Sequence, residues 1–253
     1  MERIDTVANH FIPVNTANKW SIGLFWTSVV FSCLVFFTDG NQLYNNVANI
    51  IFIMVSISYF IVSNWVSLFL LREARDKRRV QLLSNALGVK LDDEHTHLYY
   101  NNNQKESLVR LGMNAFENSL FTWRVTEEMG KTERIKVVLY LLFFVLITLI
   151  NGISINFISI IAQTVFTTGL IVNQIRLEIL RSSCKHLFAE FRQLFLTNGT
   201  RYSQKFAAIL LQLVFKYETT VASMGVHTST KIFNKINSDV TQEWEKVKKN
   251  LSL

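Results

Sequence analysis

Arg72, Arg75, Lys77, Arg78 and Arg79 place five cations within eight residues. On a helix, Arg72, Arg75 and Arg79 share one face and Arg78 lies beside it. A guanidinium fork grips phosphate oxygens two at a time. This face therefore suits a multiply charged phosphate ligand, and a ring of identical subunits would repeat it as a positive collar. The same cations would also stand here if they only flanked a membrane helix at its cytoplasmic end, against lipid phosphates. Tyr99, Tyr100, Asn101, Asn102 and Asn103 set aromatic planes beside amides. That mixture stacks on and hydrogen-bonds bases, and it is equally the composition of a capping loop.

A third group is polar and uncharged. Ser159, Gln163, Thr167, Asn173 and Gln174 fall near one face of a helix, and Asn49, Ser56, Ser63 and Ser67 form a weaker stripe. Such stripes line water-filled pores or hold helices together by hydrogen bonds. Neither segment carries a charge, which disfavours a proton pump or an ion-coupled transporter. His95 and His97, with Asp92, Asp93 and Glu94 nearby, match no established ligand spacing, so neither a metal nor another cofactor is expected. There is no Walker loop, no GxGxxG and no HExxH, and the chain is not expected to be an enzyme. Glu117, Glu127, Glu128 and Glu218 show no recognisable partner. Cys33 and Cys184 sit in apolar helical stretches and behave as small core hydrophobes.

The elements that position these residues follow from the distribution of charge. The chain has 253 residues, 49% hydrophobic and only 18% charged, with 20 Phe, one Pro and 9 Gly. The scarcity of turn residues argues against an all-β fold, and the apolar content argues against disorder. Residues 20–38, 40–71 and 137–175 contain no Asp, Glu, Lys, Arg or His. A membrane crossing needs about 20 apolar residues. The first two runs each fit one helix, and the third fits two that turn at Asn151-Gly152. The expected fold is an all-α membrane protein: four transmembrane helices in two hairpins with a helical, basic cytoplasmic domain. Its segments are 1–19, 20–71 (hairpin 1), 72–134, 135–175 (hairpin 2) and 176–253. No small-x-small cleavage site follows the first run, so it reads as retained.

The two short loops lack Lys and Arg, whereas residues 72–136 and the tail 176–253 each carry twelve. Both termini are therefore expected in the cytoplasm. Trp20 and Tyr44 stand where interfacial anchors belong. Helices are predicted over 107–129, 176–195, 202–224 and 231–251, and Gly88 is predicted to stop the helix that follows Leu71.

The motifs RRVQLLSNALGVKL (78–91), LYYNNN (98–103), NAFENSLFT (114–122), NGISIN (151–156), KYETT (216–220) and QEWEKVKK (242–249) resemble a bacterial family of four-span membrane effectors. These are the HalB-type effectors of Hailong systems, related to the CBASS four-span effectors and encoded beside nucleotidyltransferases in anti-phage defence islands. The resemblance covers most of the chain from about residue 70 onward. It implies a homo-oligomeric ion channel, about four subunits, in the bacterial inner membrane. The channel would depolarise that membrane in abortive infection. Its ligand would be a single-stranded oligonucleotide or cyclic nucleotide made by the partner nucleotidyltransferase. A non-conducting membrane anchor that recruits a soluble partner through its helical tail is the alternative.

Overall fold

The computed structural model describes residues 4–38, 40–149 and 169–253. About 83% of it is helix and 2% strand, which settles the class as all-α. In chain order the elements are β1 (Ile4–Asp5), a 3-10 turn (Thr6–His10), α1 (Phe11–Phe37), α2 (Gln42–Trp65), a π-helical turn (Val66–Leu70) and α3 (Leu71–Leu87). Then come β2 (Thr96–His97), α4 (Leu108–Leu149), α5 (Leu170–Asn198), α6 (Gln204–Met224) and α7 (Thr230–Leu251). The chain divides into two compact units.

The first unit comprises the residues up to Phe11, Leu71–Lys131 and Arg176–Leu253. Its helices end where local chemistry dictates. The hydroxyls of Ser203 and Ser229 accept from Phe206 N and Ile232 N and so cap α6 and α7. Gly88 takes a left-handed φ of +68° just past α3, as the sequence predicts. The core is aromatic. Phe116 on α4 stacks on Phe191 and Phe195 of α5, with ring centroids 5.7 Å apart in both pairs, and meets the edge of Trp244 on α7 at 5.0 Å. The stripes foreseen on the tail helices supply this core: Leu180, Cys184 and Leu187 on α5, Phe206 and Leu210 on α6, and Val240 and Trp244 on α7 are all buried. α4 and α6 approach closely because Gly112 has no side chain. A Cβ there would lie 2.2 Å from Leu210 Cδ1.

The second unit comprises Ile12–Leu70 and Thr132–Ile175. Its outside is apolar: Met54 is 62% exposed and Leu146 60%. Several of its polar groups turn inward or bond locally. Ser28 and Ser32 are buried and donate to Phe25 O at 2.7 Å and Val29 O at 2.9 Å. Asn41 caps α2, and Asn45 Nδ2 donates to Val35 O at 2.7 Å. Among the described residues one helix, Gln42–Leu87, is long and apolar enough to cross a membrane. Only 17% of its apolar window is buried, unlike the core helix of a water-soluble domain.

Two boundaries differ from expectation. α1 begins at Phe11 rather than Trp20, because Pro13 fits the first helical turn and the 3-10 turn leads into it. α4 does not stop at Met129 and restart at Ile135 but runs unbroken to Leu149. Glu128–Lys131 and Glu133–Lys136 pairs, one turn apart, carry it past Gly130. The expected turn at Asn151-Gly152 lies outside the described residues.

Phe116→Ala should lower the unfolding free energy of the detergent-extracted protein by about 3–5 kcal/mol, since it leaves a cavity among the rings of Phe188, Phe191, Phe195 and Trp244. Met54→Ala should change it by under about 0.5 kcal/mol. Thermal unfolding of the two variants side by side checks both values.

Candidate anion-binding site

α3 brings the five predicted cations to the first unit, and the structure gives each a different situation. Arg72 is exposed. Arg75 is turned inward: Nη1 donates to Val221 O at 2.7 Å and Nη2 to Val226 O at 2.5 Å. These carbonyls lie in the last turn of α6 and just past Gly225. There a helix leaves acceptors unfilled and carries partial negative charge, so a guanidinium satisfies both. Burial pulls Arg75 down to about 10, against the opposing pull of Tyr217 and Glu218, and it remains a cation at neutral pH.

Arg78 makes a two-pronged pair with Asp5, at 2.9 Å and 3.0 Å. Its guanidinium carbon stands 4.5 Å from the centre of the Tyr99 ring and 5.7 Å from that of Phe11. Tyr100 meets Tyr99 edge-on at 4.8 Å. Arg79 donates to Glu218 at 3.1 Å and to Asp76 at 2.9 Å. Burial holds the Glu218 carboxyl above its ordinary value, with Arg79 pulling the other way. Lys77 stands 3.7 Å from Asp92. The structure thus joins Arg78 to Tyr99, which sequence spacing alone did not pair, and ties Arg75 and Arg79 to acceptors on α6.

Asn101 and Asn102 are half-buried and bonded to the helices of the first unit. Glu117 accepts from Asn101 N at 3.0 Å and from Asn101 Nδ2 at 2.6 Å. Trp244 Nε1 and Lys248 Nζ both donate to Asn101 O, at 3.2 Å and 2.5 Å. Asn102 donates to Asn114, whose amide donates to Asn85 at 3.1 Å. The glutamates that showed no partner in the sequence all have one here: Glu127 pairs with Arg124 at 2.8 Å and Glu128 with Lys131.

Of the predicted pore-lining residues, Ser56 and Ser63 are half-buried on α2, and Ser63 hydrogen-bonds Tyr59, as does Ser21 of α1. On α5, Asn173 is exposed and Gln174 half-buried. Ser159, Gln163 and Thr167 lie outside the described residues. Among the described residues no group of His, Cys, Asp and Glu is arranged to hold a metal. Sequence reasoning missed Asp5, Phe11 and the α6 carbonyls. Asp5 lies in a stretch without hydrophobic periodicity, and backbone acceptors leave no mark in a sequence. No family model, curated protein or solved structure matches the chain.

Two predictions follow from these contacts. Burial pushes the Glu117 carboxyl from 4.5 up to about 7, against the Asn101 hydrogen bonds. The folded state therefore binds the proton more tightly, and this stabilisation is full below the unfolded value and lost as pH rises through about 7. Wild-type stability relative to Glu117→Gln should fall by about 3 kcal/mol across that window and be flat above it; denaturant titrations at several pH values measure the slope. Arg75→Gln should cost about 2 kcal/mol or more by stranding two carbonyls, whereas Arg72→Gln should cost under about 0.5 kcal/mol. Their melting temperatures distinguish the two positions.

Proposed function

We propose that the chain is a pore-forming membrane effector of anti-phage defence, opened or closed by a nucleotide or single-stranded oligonucleotide. The observation that carries the proposal is the helix Gln42–Leu87, which runs from a stretch without charge, apolar on its outside, into the arginines of α3. Four crossings in two hairpins would keep both termini and the cationic unit in the cytoplasm, which the absence of Lys and Arg from the two short loops supports. Four or so subunits would surround an axis lined by Ser159, Gln163, Thr167, Asn173, Gln174, Ser56 and Ser63. The ion flow through that axis would collapse the potential of the bacterial inner membrane. The ligand is a polyanion made by a partner nucleotidyltransferase, and it gates by binding the closed and open states unequally. Arg72, Lys77, Arg78 and Arg79, with Tyr99, supply its charge and stacking partners.

One observation favours a second reading, a non-conducting anchor that holds a soluble partner. Ser63 and Ser21 both bond Tyr59, so part of the polar stripe serves as glue between helices.

Ion leakage from liposomes separates the readings. Purified protein should release a trapped ion, with a rate that changes when oligonucleotide is added. Gln163→Leu combined with Thr167→Leu should cut leakage to that of empty vesicles. Leakage absent in every condition, or unaltered by the double substitution, would rule the pore out.

A further inference from the structure

The cations of α3 differ in what their partners are attached to. Arg75 is held by backbone at the end of α6, and Arg79 by carboxylates on α6 and on α3 itself. Arg78 is held by Asp5, which belongs to a short strap made of β1 and the 3-10 turn that follows. Among the described residues, polar bonds and one buried side chain attach the strap. β1 pairs with β2 over two residues, Ile4 with His97 and Asp5 with Thr96. Thr6 N donates to His95 O at 3.1 Å, the Thr6 hydroxyl to Glu94 at 2.5 Å, and His95 N to the Thr6 hydroxyl at 2.8 Å. His10 meets Glu94 at 2.8 Å. Val7 is its buried apolar residue. A short segment held mainly by polar bonds and one buried valine opens locally more readily than the aromatic core of the same unit.

The chemistry under the strap is that of an anion seat. Arg78 has one planar edge engaged by two carboxylate oxygens while its face lies on Tyr99 and Phe11. A guanidinium presents the same fork to a carboxylate and to a phosphate. Lys77 and Arg79 flank it on α3 and keep 39% and 38% of their side-chain surface exposed. Arg78 itself keeps 22% and Asp5 18%, so the seat is covered rather than sealed.

We infer that Asp5 is a built-in pseudo-ligand: its carboxylate occupies on Arg78 the place of a ligand phosphate, so the polyanion of the proposed function binds only as the strap of residues 4–10 lifts. The inference rests on that function's assignment of a phosphate ligand to α3. It adds that the strap lowers the apparent affinity by the fraction of time it is shut. It also sets an order of events, with strap opening before or during ligand capture and His10, Thr6 and Glu94 acting as the catch.

The test uses the full-length, detergent-extracted protein and a fluorescent, 5′-phosphorylated single-stranded deoxyoligonucleotide, with anisotropy read at fixed salt. Asp5→Asn keeps the shape and removes the charge, and should tighten binding about three- to tenfold, the range expected for losing one largely covered ion pair. Glu94→Gln leaves Arg78 untouched, loosens the catch, and should act in the same direction. Asp5→Asn combined with Arg78→Gln should lose the gain. The inference is overturned if Asp5→Asn and Glu94→Gln bind no tighter than wild type, or if the gain survives loss of Arg78. If Arg78→Gln alone weakens binding while Asp5→Asn does not tighten it, the pseudo-ligand fails and the ligand assignment stands. If wild type and all variants leave the probe free, both fail together.

Discussion

A backbone peptide group that loses water must find a partner inside its own segment, and a charge that loses water must find a counter-charge or a fan of acceptors. Those two demands shape the Gln42–Leu87 helix. From Gln42 to Leu70 it carries no charge, and its outward residues, such as Ile57 and Phe60, are apolar. From Arg72 onward it is crowded with cations, and the fold answers each of the inward ones. Val221 and Val226 offer carbonyls to Arg75, Asp5 a carboxylate to Arg78, and Glu218 a carboxylate to Arg79. The π-helical turn at Val66–Leu70 falls where the first regime gives way to the second.

This arrangement changes what a cluster of arginines means. Spread on a solvated helix, five cations would repel one another and wait for an external anion. Here Arg75 works as a C-terminal cap for α6 and is structural. Arg79 joins α3 to α6 through Glu218. Arg72, exposed, and Lys77, at 3.7 Å from its carboxylate, are the least committed. Under the proposed function, a polyanion would meet these two cations first and then compete with Asp5 for Arg78.

Much of the fold is legible in the order of residues, and the reason is locality. Leu180, Cys184, Leu187 and Phe191 are spaced for one helical face, and that face is buried. Gly88 ends α3 because a positive φ is cheap only there. The site is less legible because its bonds are long-range. Asp5 and Arg78 are 73 residues apart, and Arg75 and Val221 are 146 apart. No periodicity connects such pairs. The Asn101-Asn102 pair illustrates the same point: its composition fits a capping loop as well as a base-binding one, and only the long-range bonds to Glu117, Trp244 and Lys248 show how Asn101 is held.

The account rests on α2 meeting lipid while α3 meets water and protein. A nitroxide scanned along residues 42–87 of the protein in lipid nanodiscs reads this directly, through collision with oxygen, which concentrates in hydrocarbon, or with a water-soluble nickel chelate. Oxygen is expected to dominate at the outward positions Met54, Ile57 and Ile61, and the nickel chelate to take over at Leu87. Strong nickel accessibility at the outward apolar positions Met54, Ile57 and Ile61 themselves would contradict it.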